Sequence, residues 1–195
     1  MSQFMDKPHE THLIAAKRIL CYINDILNYG FMYEKSKSFF LSSFVDADWA
    51  SDVNDRCSTT SFCFTVGSAA ISWCSKKQST VALCSCETKY VAATMATQEC
   101  LWLRRLIQEM VTTLNHPTQI NCDNQSAIKL AGNLVFHSRS KHIETHYYYV
   151  REKVLSQDVE LQKIHTNKQV ADIFTKALVK VKFEVFRKTL GVIEK

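Results

Sequence analysis

The 195-residue chain has only four glycines and two prolines, which leaves little room for linkers, so most of it is expected to be helix or strand. It contains no internal repeat and no low-complexity tract, which excludes solenoids and collagen-like fibres. No apolar run is long enough to span a bilayer; the uncharged stretch 57–75 is threaded with Ser and Thr. The start, Met1-Ser2-Gln3-Phe4-Met5-Asp6, lacks the basic stretch and apolar run of a secretory leader. A soluble intracellular chain without membrane attachment is therefore expected. Its eight cysteines form no C-x-x-C pair, and most alternate within apolar runs, as reduced core thiols do.

With 46% hydrophobic and 22% charged residues the chain is not disordered and can bury a core. A net charge of +5 permits a polyanionic partner without requiring one. Leu13, Ala16, Leu20, Ile23 and Leu27 keep helical spacing up to Gly30, predicting a first helix of about 20 residues. Residues 38–49 read as a strand, and 61–66 and 69–73 as a hairpin about Gly67-Ser68. Ala92, Ala96, Cys100, Leu103, Leu106, Ile107, Met110 and Leu114 stripe a long helix over about 86–114. A strand over 118–122 follows, then a helix capped by Asn124 and stopped at Gly132. Ile143, Tyr147, Val150 and Val154 mark another helix and 159–164 a strand. A helix through Val170, Ile173, Phe174 and Leu178 comes next, and a last amphipathic piece carries Phe183, Phe186 and Leu190. This order predicts an α/β fold in which a mixed sheet is flanked by helices and preceded by an N-terminal helix. Trp49, Trp73 and Trp102 are expected at or near the core.

Four carboxylates stand out by position. Asp46 ends the first core strand, Asp123 ends the fourth, Glu87 opens the long helix, and Asp172 lies in the first turns after the last strand. If the first and fourth strands are neighbours, Asp46 and Asp123 meet at one sheet edge and need a counter-cation. All-oxygen ligands select Mg²⁺ or Mn²⁺, and two such ions about 4 Å apart can activate water against a phosphodiester. Acidic residues at strand ends also serve as caps, and position alone leaves both readings open.

Blocks of sequence carry a resemblance. Asp46-Ala47-Asp48-Trp49-Ala50-Ser51-Asp52 with Asp55-Arg56-Cys57-Ser58-Thr59-Thr60 is the first, and Ile71 through Ala82 the second. Cys122-Asp123-Asn124-Gln125-Ser126-Ala127-Ile128, Phe136 through Ile143, and Gln169 through Leu178 complete the series. Together they resemble the ribonuclease H domain of Ty1/copia-type retrotransposon Pol polyproteins. Residues 1–36 resemble the end of the preceding reverse transcriptase or connection region, and 37–195 the RNase H-like domain itself. The resemblance implies an RNase H-like fold with a five-stranded mixed sheet, three antiparallel strands and then two parallel. It also implies endonucleolytic hydrolysis of the RNA strand of RNA–DNA hybrids by two Mg²⁺ (or Mn²⁺) ions, with Asp46, Glu87, Asp123 and Asp172 as the metal-binding carboxylates. The implied partners are the hybrid, the reverse transcriptase and other Pol regions. The implied compartment is the cytoplasm, in virus-like particles where the element is active, or the nucleus. The polymerase Tyr-x-Asp-Asp motif is absent.

Departures from the family pattern bear on activity. Lys89 replaces the second of two acids common near the start of the long helix, while Glu87, read as the catalytic equivalent, remains. Ser51 stands where glycine is common, and Cys57, Cys84 and Cys86 replace polar or small residues. These changes also fit a degenerate, non-catalytic nucleic-acid-binding remnant. For phosphate contacts the candidates are Lys76 and Lys77, and a second group of Arg139, Lys141 and His142 with His146. Either group also reads as a solvated basic face. His142 and His146 lack a third zinc ligand, and His165 reads as a strand-end histidine with its hydrogen bonds satisfied.

Overall fold

The structure is a computed structural model that describes residues 4–35, 39–110, 114–132 and 144–195. Helix α1 (Glu10–Asp25) leads into a short strand β1 (Tyr29–Phe31), and then come β2 (Leu41–Asp48), β3 (Thr59–Val66) and β4 (Ala69–Lys77). The long helix α2 (Ser85–Met110) is followed by β5 (Thr118–Cys122), α3 (Gln125–Gly132), α4 (Glu144–Leu155) and β6 (Val159–Lys163). Two 3₁₀ turns (Thr166–Lys168 and Val170–Phe174), α5 (Lys180–Thr189) and β7 (Val192–Glu194) complete the chain.

Five strands form one sheet in the order β4-β3-β2-β5-β6. β2, β3 and β4 are antiparallel, and β5 and β6 join in parallel. This is the mixed sheet expected from the sequence, an RNase H-like α/β fold. Gly67 takes φ 59° in the β3–β4 turn, a conformation open to glycine at no steric cost, so the hairpin closes in two residues.

Alternation along the strands separates two cores. Val45, Phe62, Phe64 and Ile120 pack with Ala92, Ala96, Cys100, Leu103 and Ile107 of α2. Cys63, Ala70, Val170, Phe186 and Leu190 form the second cluster. A third, of Tyr90, Ala127, Ala131 and Val150, joins α2, α3 and α4. All eight cysteines are free, and burial raises the thiol pKa of Cys63 to about 12 and of Cys100 and Cys122 to about 11. These three buried thiols are packing residues, inert at neutral pH.

Several expectations need correction. The segment after Asn167 is not an α-helix but a pair of 3₁₀ turns, because the sheet claims its backbone: Ser61 Oγ donates to Ala171 O at 3.0 Å and Ser75 Oγ to Phe174 O at 2.8 Å. The three tryptophans are not core anchors, since each is 52–56% exposed. Trp73 stacks on Phe31, and Trp49 Nε1 donates to Ala82 O. α1 is 16 residues long and contains no buried residue. The small sheet of β1 and β7 was not foreseen; it pairs Tyr29–Phe31 with Val192–Glu194 across nearly the whole chain. Among the described residues, no helix is long and apolar enough to cross a membrane.

Candidate active site

β2 lies between an antiparallel and a parallel neighbour, so the strand order switches direction there. Beyond the carboxyl ends of strands at such a point, polar side chains leave the core. The parallel register pairs Val45 with Cys122, which sets the next residues, Asp46 and Asp123, side by side. The second 3₁₀ turn brings Asp172 to the same place. That turn is fixed by Gln169, wholly buried, whose Nε2 donates to Val45 O at 3.0 Å and Asn121 O at 3.3 Å. One side chain thus bridges β2 and β5 one residue before Asp46 and two before Asp123.

Lysines occupy the space between these acids. Lys89 Nζ, from the second turn of α2, donates to Asp46 Oδ1 at 2.7 Å and also to Asp123 Oδ1. Lys176 Nζ lies 3.1 Å from Asp46 Oδ2 and 2.8 Å from Asp172 Oδ1, and Lys182 Nζ lies 2.9 Å from Asp172 Oδ2. Thr175 Oγ1 donates to Asp46 Oδ2 at 2.8 Å. The site is nearly closed to water: the Asp46 side chain is 0% exposed, Asp172 2%, Asp123 9% and Lys89 13%.

Burial alone would raise the Asp46 pKa, but the charge and hydrogen bond of Lys89, the charge of Lys176 and the Thr175 hydroxyl outweigh it and lower the pKa to about 2. For Lys89, burial pushes the ammonium pKa down. The charge of Asp46 and the hydrogen bonds to Asp123 and Asp46 more than compensate, holding it above the ordinary lysine value. The ammonium is therefore charged throughout the neutral range.

Of the four carboxylates singled out from the sequence, the structure joins Asp46, Asp123 and Asp172 through this lysine network. Glu87 is placed differently. It is buried, and its Oε2 accepts from Leu83 N at 2.7 Å, closing the turn that enters α2. Lys89, two residues on and about 200° further round the helix, reaches Asp46 and Asp123. Lys77 ends β4 with its ammonium between Asp52 Oδ2 at 2.5 Å and Asp55 Oδ2 at 2.6 Å, engaged within the chain. Lys76 is exposed on the same strand. Arg139, Lys141 and His142 lie outside the described residues, as does the side chain of His146. His165 Nδ1 accepts from Asn167 N at 3.2 Å and caps the first 3₁₀ turn.

The chain is similar along its whole length to plant retrotransposon polyproteins. It is 38% identical over 194 residues to the retrovirus-related Pol polyprotein from transposon RE2 of Arabidopsis thaliana, covering 100% of this chain and 13% of that protein. It is 37% identical over 196 residues to the corresponding polyprotein from transposon TNT 1-94 of Nicotiana tabacum, covering 98% and 14%. The chain thus spans about one-seventh of the length of these curated relatives. No family model matches it. Among solved structures, the N-terminal RNase H domain of Rv2228c from Mycobacterium tuberculosis superposes with a TM-score of 0.51 at 9% identity, covering 78% of this chain and 99% of that one. That likeness concerns the fold. The chain is an RNase H-like domain of the retrotransposon Pol family.

Such domains generally use two divalent ions, and the side chains present here do not fit a metal pair. Among the described residues, no three of His, Cys, Asp and Glu are grouped to hold an ion. Asp46 Oδ1 and Asp123 Oδ1 both accept from the Lys89 ammonium, so a cation already lies between them. Lys89, Lys176 and Lys182 are the site residues that sequence reasoning did not assign. A signal for Lys89 existed: carrying the stripe Ala92, Ala96, Cys100 back one turn reaches residue 89, whereas Glu87 shares a line with Tyr90, Thr94 and Thr97.

Proposed function

We propose that this chain is the RNase H-like module of a Pol polyprotein and engages RNA–DNA hybrids without needing a divalent ion to do so and without cutting them. The observation that carries the reading is the Lys89 ammonium held between Asp46 and Asp123. Three clustered carboxylates would repel an approaching phosphodiester; three ammonium groups on those same carboxylates remove that repulsion. The net charge of +5 and the exposed Lys76 favour a polyanion, and affinity from phosphate contacts should fall steeply with salt.

The alternative is the hydrolase: Asp46, Asp123 and Asp172 at one switch point are the observation in its favour. Partners within Pol fit the same picture, since Leu13, Ile14, Ile19, Leu20 and Ile23 of α1 are 48–65% exposed and want a cover.

Fluorescence anisotropy with a labelled RNA–DNA hybrid, in chelator and over a salt series, tests binding, with duplex DNA for comparison. The same labelled RNA followed in MgCl₂ or MnCl₂ tests cleavage. Binding in chelator with intact RNA is expected. RNA shortened by the unmodified chain but not by D123N would favour the hydrolase, and no binding at any salt would end the proposal.

A further inference from the structure

We infer that Lys89 is a tethered counter-cation standing where a divalent ion would otherwise sit, so that the residue at position 89 decides whether this cluster takes up metal. The inference rests on the reading of the chain as a non-cutting module, but it concerns ion uptake alone. The charges balance within the network: Asp46, Asp123 and Asp172 contribute three negative charges, and Lys89, Lys176 and Lys182 contribute three positive. A divalent ion entering this neutral site would have to displace an ammonium first.

The three lysines are not equivalent in this respect. The side chains of Lys176 and Lys182 are 40% and 27% exposed, on the turn and helix at the chain's C-terminal end, and can swing into water. Lys89 is 13% exposed, projects from the N-terminal end of a packed helix stripe, and among the described residues alone contacts Asp46 and Asp123 together. Its withdrawal would strand a desolvated ammonium or two facing carboxylates. A carboxylate in its place would be directed at the same two acids. It would also change the balance from three against three to four negative charges against two positive, with oxygen donors only, a set that suits Mn²⁺ or Mg²⁺.

The test is the uptake of Mn²⁺ by the whole chain, read from the electron paramagnetic resonance signal of free Mn²⁺, with thermal unfolding in chelator and in MnCl₂ alongside. The unmodified protein should take up no ion at the cluster and unfold at the same temperature in both buffers. K89E should bind Mn²⁺ at least about tenfold more tightly, about 1.4 kcal/mol, and unfold higher in MnCl₂ than in chelator. K89E/D123N should lose that gain. K89Q, which removes the charge without adding another, is the second variant if K89E does not fold in chelator, and it should bind with intermediate affinity. Uptake by the unmodified chain equal to that of K89E or K89Q would overturn the inference, as would a folded K89E, or a folded K89Q where it stands in, that binds no Mn²⁺. Hybrid binding measured in chelator is independent of either result, so failure here leaves the functional reading to its own test.

Discussion

Replacing Lys89 by methionine keeps most of the apolar stem and deletes the charge. Asp46 and Asp123 then face each other across a site in which their side chains are 0% and 9% exposed. One ion pair at about 4 Å is worth about 4 kcal/mol at an effective dielectric constant of about 20, and removing one partner of a buried pair costs about 3–5 kcal/mol. Lys176 remains 3.1 Å from Asp46, which places the expected loss near the lower end, about 3 kcal/mol. For a chain of this size that is a fall in Tm of about 6–12 °C. Urea denaturation in chelator at neutral pH measures it. The deficit should shrink on acidification, because burial still pushes the Asp46 pKa up while the largest influences holding it down are lost with the ammonium, so the variant takes up a proton at higher pH than the parent. Adding D123N to K89M should restore a good part of the loss, since it removes the second charge that Lys89 compensated. A deficit under about 1 kcal/mol, or one that D123N does not relieve, would refute the electrostatic account of this site.

The lowered Asp46 pKa has its own consequence. A carboxyl group depressed from 3.8 to about 2 in the folded state stabilises the fold above its unfolded value, and that contribution disappears as the pH falls through the folded value. At about 1.4 kcal/mol per unit, about 2 kcal/mol should be lost between about pH 4 and pH 2. Denaturation curves across that window should show this component in the parent and not in D46N, and an equal loss in both would count against it. Gln169→Leu leaves the buried carbonyls of Val45 and Asn121 without their donor and should cost about 2–4 kcal/mol by urea denaturation; a loss below about 1 kcal/mol would mean the bridge contributes little. Gly191 has φ 76°, and an added Cβ would lie 2.4 Å from Ala69 Cβ. Gly191→Ala should therefore destabilise by about 2–4 kcal/mol and speed amide exchange at Val192–Glu194, and unchanged exchange there would argue against the strain.

What could be read from the sequence was whatever local chemistry decides. Gly67-Ser68 announced its hairpin, β5 falls on the residues expected of it, and Asn124 Oδ1 does accept from Ala127 N at 2.9 Å to cap α3. The parts that were not legible depend on distant partners. β1 and β7 are three residues each, too short for alternation to register, and each exists only because the other end of the chain arrives beside it. The turn carrying Asp172 has apolar residues at helical spacing, yet Ser61, Ser75 and Gln169 hold it in 3₁₀ form from the sheet. At the site, family pattern favoured Glu87 because it is acidic and near the right place. The helical phase of α2, which pattern matching did not weigh, continues the Ala92–Ala96–Cys100 stripe to Lys89, whose ammonium contacts Asp46 and Asp123.

That phase argument separates what the backbone fixes from what one side chain decides. The register of β2 against β5 brings Asp46 and Asp123 together whatever cation is present, and Gln169 locks that register. Two carboxylates so enclosed cannot both stay ionised alone, so the fold makes neutralisation compulsory without specifying its source. A diffusible divalent ion would couple the site's integrity to the surrounding solution and supply a Lewis acid for phosphodiester chemistry. An ammonium on α2 makes the same correction permanently, keeps the fold independent of metal, and offers no open coordination position to a substrate oxygen. An RNase H-like sheet is compatible with either outcome, which is why its architecture alone does not establish hydrolysis. On the proposed reading, it is residue 89 that decides which of the two cations the cluster holds.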